Sequence, residues 1–164
     1  PLMAAIGDVD EANSAIGMAV AALHPNSDAT AMLVRIQNEM FDLGADLATP
    51  ADIQFGFGPH DMALRIVPSQ IARLEDEIDR MNDDLDPLRS FILPGGTDAA
   101  ARLHLARAVT RRAERAAVAA GGDRDLNPLA LTYLNRLSDH LFVLTRHLNA
   151  AAGGDILWKP GATR

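Results

Sequence analysis

Apolar residues recur three and four positions apart along most of the chain, with polar residues between them. This spacing is typical of helices that bury one face in a helix bundle. The four apolar stripes consist of Val9, Ala12, Ile16, Ala19 and Leu23; of Leu33, Ile36, Met40, Leu43 and Leu47; of Ile71, Leu74, Ile78, Met81 and Leu85; and of Leu134, Leu137, Leu141, Leu144 and Leu148. A fifth helix, about residues 98–120, is rich in alanine, which permits close helix approach. The pattern predicts no strand and an all-α fold: a five-helix, mostly antiparallel bundle with short connections.

Capping residues and segments without an apolar stripe indicate where the helices begin and end. Asp28 and Asp98 are expected as N-terminal caps, and Gly121 with Gly122 as a stop signal. The long segment 49–67 has no apolar stripe, so we expect a functional lid or a disordered loop there. We predict a helical bundle domain over residues 1–152 and a C-terminal tail over 153–164. The tail carries Trp158, the single tryptophan, which is expected to dock on the chain's own surface, on a neighbouring subunit or on a ligand.

Composition excludes several classes of function. The 164 residues are enough for one domain with a real core, and the formal charge of −7 disfavours nucleic-acid binding. No apolar run has the length of a membrane span. Cysteine is absent, which fits a reducing compartment, and we expect a cytoplasmic protein. The single lysine, Lys159, and the lack of G-x-G-x-x-G exclude a Walker P-loop and a Rossmann site.

The expected alanine-rich helix also concentrates positive charge. Five of the fifteen basic residues lie in it: Arg102, Arg107, Arg111, Arg112 and Arg115. Arg107, Arg111 and Arg115 follow one another at i, i+4 and i+8, where like charges weaken a helix by about 0.2–0.5 kcal/mol per pair. Glu114 can neutralise only part of this row. The arginine row is therefore either a solvated face or a site for an anion such as a polyphosphate, whose oxygens the guanidinium fork matches.

Motifs around this helix resemble those of the PduO-type ATP:cob(I)alamin adenosyltransferases. The family pattern F-[IV]-L-P-G-G-[TS], then L-H-x-A-R, then R-R-A-E-R appears as Phe91–Thr97, Leu103–Arg107 and Arg111–Arg115. Three further segments agree in the same order: Gly7–Gly17, Ile36–Pro50 and Leu134–Phe142. Four ordered motif regions over nearly the whole chain are a specific signal.

One family motif is not among these residues. Family members carry a Thr- and Gly-rich segment, roughly T-[KR]-x-G-D-x-G-x-T, that wraps the nucleotide phosphates before the first helix. Gly7-Asp8 is not that motif, because Val9-Asp10-Glu11 follows it. Without this segment, both the affinity for ATP and the rate of turnover are expected to be lower.

The resemblance implies transfer of the 5′-deoxyadenosyl group of ATP to cob(I)alamin, with release of triphosphate. ATP and cobalamin are the implied ligands, and Mg²⁺ is expected to help neutralise the phosphates. The implied ATP-binding residues are Arg111, Arg112, Glu114, Arg115 and Asn135. From the residues alone, Glu114 is equally well explained as an ion-pair partner within the arginine row.

The resemblance also implies a corrin side and a subunit interface. Phe91 is implied to pack under the corrin and exclude a lower axial ligand, and Phe142 matches a second corrin-facing position. Without the resemblance, each phenylalanine is better explained as core. Asp10 is implied to pair with Arg107 across a subunit boundary of a homotrimer, with sites between subunits; otherwise it is a solvated aspartate in the first helix. An adenosylcobalamin-dependent mutase is an implied partner.

The residues disfavour a protein-bound metal site. The five histidines, His24, His60, His104, His140 and His147, form no close metal-ligand pair, so no protein metal site is expected. His104 is expected to be near the site. A di-iron site would need Glu-x-x-His on two helices, and no glutamate here has that partner. A non-catalytic carrier or chaperone of adenosylcobalamin would use the same corrin-facing residues, and a plain helical interaction module would not bind ATP.

Overall fold

The computed structural model describes residues 1–52, 54–58 and 63–164; His60 lies outside them. This part of the chain contains five helices: α1 (Leu2–Val20), α2 (Asp28–Ala48), α3 (Pro68–Asn82), α4 (Asp98–Ala120) and α5 (Pro128–Ala150). Its β-structure is limited to two isolated bridges, and these described residues form no extended strand. The predicted all-α, five-helix bundle is therefore confirmed.

The helices pack in a defined order, with α1 between α2 and α4, and α5 between α4 and α3. Contacts between residue pairs give their directions. Arg112, late in α4, contacts Asp8 in the first half of α1. Arg102, early in α4, contacts Met18 near the end of α1, so these helices are antiparallel. The α4 and α5 helices are antiparallel too, whereas α3 and α5 run parallel. The bundle is mostly antiparallel, as the sequence predicted.

The apolar stripes form one core, and small residues let the helices approach. Buried alanines of α1 and α4 include Ala12, Ala106 and Ala113, and these two helices share the most extensive helix contact of the described bundle. A Cβ added at Gly17 of α1 would lie 3.0 Å from Gln37 Nε2 of α2, so glycine suits this close approach. Because the alanine-rich face of α4 is buried, the arginines of α4 lie along the borders of that face.

Two expectations about helix ends were wrong. The N-caps are Ser27 and Thr97, whose hydroxyl oxygens accept hydrogen bonds from backbone N–H groups, while Asp28 and Asp98 occupy the first helical turns. A hydroxyl satisfies the free N–H groups, and an aspartate one position later still favours the helix dipole. The connection 83–97 is also long, because α3 ends before Leu85, the last residue of its apolar stripe.

A buried ion pair closes the connection between α2 and α3. Arg65 Nη1 lies 2.8 Å from Asp46 Oδ1, and both side chains are almost fully buried. The second oxygen of Asp46 accepts hydrogen bonds from Ile66 N and from Asn127 Nδ2, at 2.8 and 2.6 Å. Arg65 also donates to backbone carbonyls of residues 49 and 50. Since the carboxylate is satisfied from three directions, it holds the C-terminal end of α2 to the starts of α3 and α5.

The α2 and α3 helices are joined by two reciprocal ion pairs. Arg35 of α2 binds Glu77 of α3 through two hydrogen bonds of 2.7 and 2.9 Å, and Arg73 of α3 binds a carboxylate of α2. His140 of α5 lies 2.8 Å from Glu77 Oε2. Burial opposes ionisation of Glu77, but hydrogen bonds from His140 and Arg35 outweigh it and hold its pKa at about 2.

The C-terminal tail docks on the chain's own surface, the first of the three alternatives. Trp158 N donates to Phe91 O at 2.8 Å, and Leu93 N donates to Ile156 O at 2.8 Å, so the tail pairs antiparallel with the segment before α4. A domain boundary at residue 152 stays a prediction.

Among the described residues, no helix is both long and apolar enough to cross a membrane.

Candidate nucleotide and corrin site

The five arginines of α4 differ in their surroundings. Arg102 pairs with Asp98 one turn earlier, with Nε 2.8 Å from Oδ1. Arg112 faces α1, where its guanidinium contacts Asp8 at 3.1 Å and also pairs with Glu11. These two arginines are neutralised within the chain. For Arg112, predicted to bind ATP, this pairing means that a nucleotide would compete with α1 for the guanidinium.

Arg111, Glu114 and Asn135 form a cluster between α4 and α5. Arg111 Nη1 pairs with Glu114 Oε2, and Asn135 Nδ2 donates to Glu114 Oε1 at 2.9 Å. Arg136 Nη2 in turn donates to Asn135 Oδ1 at 2.8 Å. The structure thus brings together three of the residues predicted to bind nucleotide. The ion pair expected between Glu114 and the arginine row is present, and Arg111 stays half-exposed.

Arg107 and Arg115 complete the row with fewer partners. Arg115 Nη1 donates to the backbone oxygen of Arg111 at 3.1 Å and otherwise extends outward. Arg107 Nε is buried without a hydrogen-bond partner in the part of the chain that the structure describes. The row therefore carries more positive charge than Glu114 neutralises, so an anion can bind there.

Phe91 is not a core residue, which excludes the simplest structural explanation of its position. It lies before the Pro94-Gly95-Gly96 turn, and 77% of its surface is exposed. Its ring meets that of Trp158 edge to face, with centroids 5.9 Å apart. Leu93, Ile156 and Leu157 are also substantially exposed. An exposed apolar surface of this kind on a small protein indicates contact with a ligand or another chain.

Phe142 of α5 is only partly buried and packs edge to face on His104 of α4, with ring centroids 6.5 Å apart. His104 is buried, and neither of its ring nitrogens has a hydrogen-bond partner among the described residues. Burial lowers the pKa of His104, and the charge of Arg107 lowers it further against the opposing effect of Asp155. A neutral imidazole is therefore held beside the arginine row, where the sequence expected His104 to be.

Asp10 is exposed on α1 and does not meet Arg107 within one chain. It lines a cleft of about 390 Å³ between α1 and α2 whose other lining residues include Met3, Met40 and Phe41. The described residues contain no group of three or more histidine, cysteine or acidic side chains that could hold a metal.

The sequence did not single out a polar junction beside the Phe91 segment. Asn149, near the end of α5, contacts the Pro94-Gly95-Gly96 turn, and Asp155 of the tail contacts both Asn149 and Arg146. Positive backbone angles at Gly153 and Gly154, with φ of 104° and 93°, turn the chain back toward the turn. The Gly-Gly pair was the available signal for this reversal.

These features define a helix bundle with one exposed arginine cluster and one exposed aromatic turn. The model of the cobalamin adenosyltransferase family matches residues 1–148. The chain belongs to this family, as its motifs predicted.

Curated relatives and solved structures agree. The chain is 48% identical over 164 residues to a corrinoid adenosyltransferase of Mycobacterium tuberculosis, covering 99% of this chain and 82% of the relative. It is 39% identical to one of Bacillus subtilis over 160 residues, covering 95% and 79%. A phenylalanine-to-alanine variant of a PduO-type ATP:corrinoid adenosyltransferase from Lactobacillus reuteri, complexed with cobalamin and ATP, is 36% identical with a TM-score of 0.84 and covers 97% of this chain and 86% of that chain.

Proposed function

We propose that this protein transfers the 5′-deoxyadenosyl group of ATP to cob(I)alamin, forming adenosylcobalamin and releasing triphosphate. The cobalt lone pair of the substrate attacks C5′, a Co–C bond forms, and the bond between C5′ and O5′ breaks. The electron pair of that bond leaves on the triphosphate oxygen. The reaction is a displacement, so the protein must align ATP with the corrin and stabilise the leaving group, and no acid–base pair at the carbon is required.

The observation that carries this proposal is the arginine row of α4, which Glu114, held by Asn135 of α5, neutralises only in part. Arg111 and Arg115 are proposed to bind the triphosphate, with Arg112 joining once it leaves α1. Glu114 and Asn135 orient Arg111 and contact the nucleotide. Donors that are already fixed before the reaction cost little reorganisation when charge develops on the leaving oxygen.

The exposed turn before α4 is proposed as the corrin side. The ring of Phe91 would lie beneath the corrin and occupy the place of a lower axial ligand, with Phe142 as a second apolar contact. A cobalt centre without a lower ligand accepts an electron more readily, because the ligand lone pair no longer opposes it. The high exposure of Phe91 supports this role, since an apolar ring with little intramolecular burial is available to a ligand.

Assembly and location are proposed as follows. The protein forms a homotrimer with sites between subunits, in which Asp10 of one chain pairs with Arg107 of another. The exposed carboxylate and the incompletely partnered guanidinium support this pairing, because a charged group buried without a partner is costly. The protein is proposed to act in the cytoplasm and to supply an adenosylcobalamin-dependent mutase.

Magnesium is proposed to accompany ATP. Because the described residues offer no cluster of ligands for a metal, the ion would be held chiefly by phosphate oxygens and water. Bound there, it would offset negative charge on the leaving triphosphate.

The test is the reaction itself. Full-length protein is mixed with ATP and chemically reduced cob(I)alamin under anaerobic conditions, and adenosylcobalamin and triphosphate are quantified. Equal amounts of both products in repeated turnovers are expected. Tight corrinoid binding without product would instead establish a carrier, and absence of both binding and product would contradict the proposal.

A further inference from the structure

Asn149 connects three separate segments of the chain. Its Nδ2 donates to Gly95 O at 3.1 Å and to Asp155 Oδ1 at 3.3 Å, and its Oδ1 accepts from Thr97 N at 3.1 Å. It is almost fully buried. One side chain at the end of α5 therefore holds the Pro94-Gly95-Gly96 turn, the start of α4 and the tail.

Asp155 is held from both sides. Its Oδ2 lies 3.1 Å from Arg146 Nε, its Oδ1 accepts from Asn149, and the Arg146 and Asp155 side chains are each about nine-tenths buried. Arg146 Nη2 also donates to Asp86 O at 2.7 Å, which ties in the connection between α3 and α4. We name Arg146, Asn149 and Asp155 the tail anchor. A buried charged pair with these hydrogen bonds has one favoured arrangement.

Beyond the tail anchor, residues 156–158 run along the Phe91 segment. Backbone hydrogen bonds join Leu93 N to Ile156 O and Trp158 N to Phe91 O, both at 2.8 Å. Ser90 Oγ donates to Trp158 O at 2.9 Å. The Trp158 and Phe91 rings then meet edge to face. The tail therefore contacts both the backbone and the ring of Phe91.

The tail leaves the ring accessible. Phe91 keeps 77% of its surface exposed despite the Trp158 contact, and Trp158 itself is 44% exposed. A ring with so little burial cannot be oriented by core packing. Its position depends on the turn that follows it and on the strand-like pairing with the tail.

We propose that residues 155–158, held by the tail anchor, are positioning residues that orient Phe91 for the corrin. This inference rests on the proposed function and extends it to a segment outside the helices. Loss of the tail contacts is expected to let the Phe91 ring move away while the bundle and the arginine cluster stay intact. A small displacement of a positioning group is enough to reduce a rate strongly.

The experiment compares Asp155→Ala and Trp158→Ala with Lys159→Ala, an exposed neighbour in the same tail. Each variant is assayed from Co(II) with a reductant present and from chemically prereduced Co(I). We expect Asp155→Ala and Trp158→Ala to lose about tenfold or more of the Co(II)-dependent turnover, with the Co(I) reaction and ATP affinity within about threefold of wild type. Lys159→Ala should match wild type in both assays.

The spectrum of bound Co(II) supplies a readout that a general loss of stability would not move. We expect the two tail variants to show a smaller four-coordinate fraction at saturating corrinoid and at temperatures where circular dichroism shows them folded. Asp155→Asn, which keeps an oxygen acceptor for Asn149, should recover part of it. A wild-type spectrum and Co(II) turnover in both tail variants would overturn the inference.

A second pair of variants tests the turn from its other side. Gly96 has φ of 104°, and a Cβ there would overlap the Asn149 carboxamide, whereas a Cβ at Gly95 meets nothing within 4 Å. Gly96→Ala is expected to reproduce the Co(II) defect, and Gly95→Ala to be milder. Phe91→Ala and wild type are measured alongside. If wild type has no activity, the proposed function fails; if Phe91→Ala is defective but neither the tail variants nor Gly96→Ala are, only the positioning role fails.

Discussion

The carboxamide of Asn135 donates a 2.9 Å hydrogen bond to Glu114, and this contact fixes the carboxylate that pairs with Arg111. The relationship joins α5 to α4 at the arginine row. It means that the orientation of Arg111 depends, through Glu114, on Asn135 of the neighbouring helix. A negative charge at Glu114 is therefore compatible with an anion site, because its ion pair holds the Arg111 guanidinium in one orientation.

Replacing Glu114 tests this coupling. Glu114→Gln keeps an acceptor for Asn135 but removes the ion pair, so Arg111 loses its fixed direction. We expect kcat to fall by about tenfold, with a smaller change in KM for ATP. In a double-mutant cycle with Arg111→Ala, the second substitution should add little. Fully additive losses would show that the two side chains act independently.

Arg111 itself is expected to act on the leaving triphosphate. Arg111→Ala should lower turnover by about 10² or more, because a preorganised donor to the leaving group is lost. Arg111→Lys should restore little, since one ammonium cannot supply bidentate geometry. Arg102→Ala, on the same helix but paired with Asp98, is the control and should stay near wild type. Unchanged steady-state kinetics in Arg111→Ala would show that the arginine row is a solvated face and not an anion site.

Local pattern predicted the bundle because burial repeats with the helical period. Leu33, Ile36 and Leu43 are each fully buried at the spacing that identified their helix. The cap at Ser27 was missed because aspartate and serine both suit that position, and only the backbone geometry separates them. The end of α3 was missed because Leu85 continues the apolar period after the helix has ended.

The arginine row could be predicted because its members share one helix. The tail anchor could not, because Asn149 and Gly95 are 54 residues apart and no local pattern links them. Their meeting depends on how α4 and α5 pack. The exposure of Phe91 could not be predicted from the sequence either, because phenylalanine side chains are usually buried.

Because Phe91 is exposed, replacing it should affect the corrinoid, with little change in ATP binding or stability. Phe91→Ala should change the free energy of unfolding by less than about 1.5 kcal/mol, because the ring is mostly exposed and loses chiefly its Trp158 contact. ATP affinity should stay within about threefold, and turnover from Co(II) should fall. Prereduced cob(I)alamin should recover much of the loss. A large drop in melting temperature with an unchanged Co(II) spectrum would identify Phe91 as a packing residue.

The proposed subunit contact is tested by Asp10→Ala. If Asp10 meets Arg107 in the assembled protein, its removal leaves a guanidinium without a partner, which costs about 3–5 kcal/mol where such a pair is fully buried. We expect a shift from trimer toward monomer in sedimentation velocity, with loss of turnover. Asp76→Ala, which removes an exposed charge on α3, is the control. A wild-type protein that sediments as a monomer at micromolar concentration would contradict the homotrimer.

Acid should weaken the bundle through Glu77. Its pKa is held at about 2 in the folded protein, below its usual 4.5, so the ionised form stabilises the fold at neutral pH. That contribution, up to about 3 kcal/mol, should be lost as pH falls from about 4.5 to about 2. Urea unfolding across this range is expected to show the decline in wild type and a flatter profile in Glu77→Gln. The exposed neighbour Glu75, replaced by glutamine, should leave the profile of wild type unchanged.

The same ion pairs have a consequence for the order in which the molecule folds and opens. The buried residues of α3 are Ile71, Leu74, Glu77 and Met81, and its partners Arg35 and His140 are 42 and 63 residues away. The other four helices each bury more residues than α3 does. Since α3 depends more on these ion pairs than on apolar packing, it should open first and dock last onto the assembled helices. Its amides are expected to exchange with deuterium before those of α1, α4 and α5, so that local opening begins on the side of the bundle away from α1.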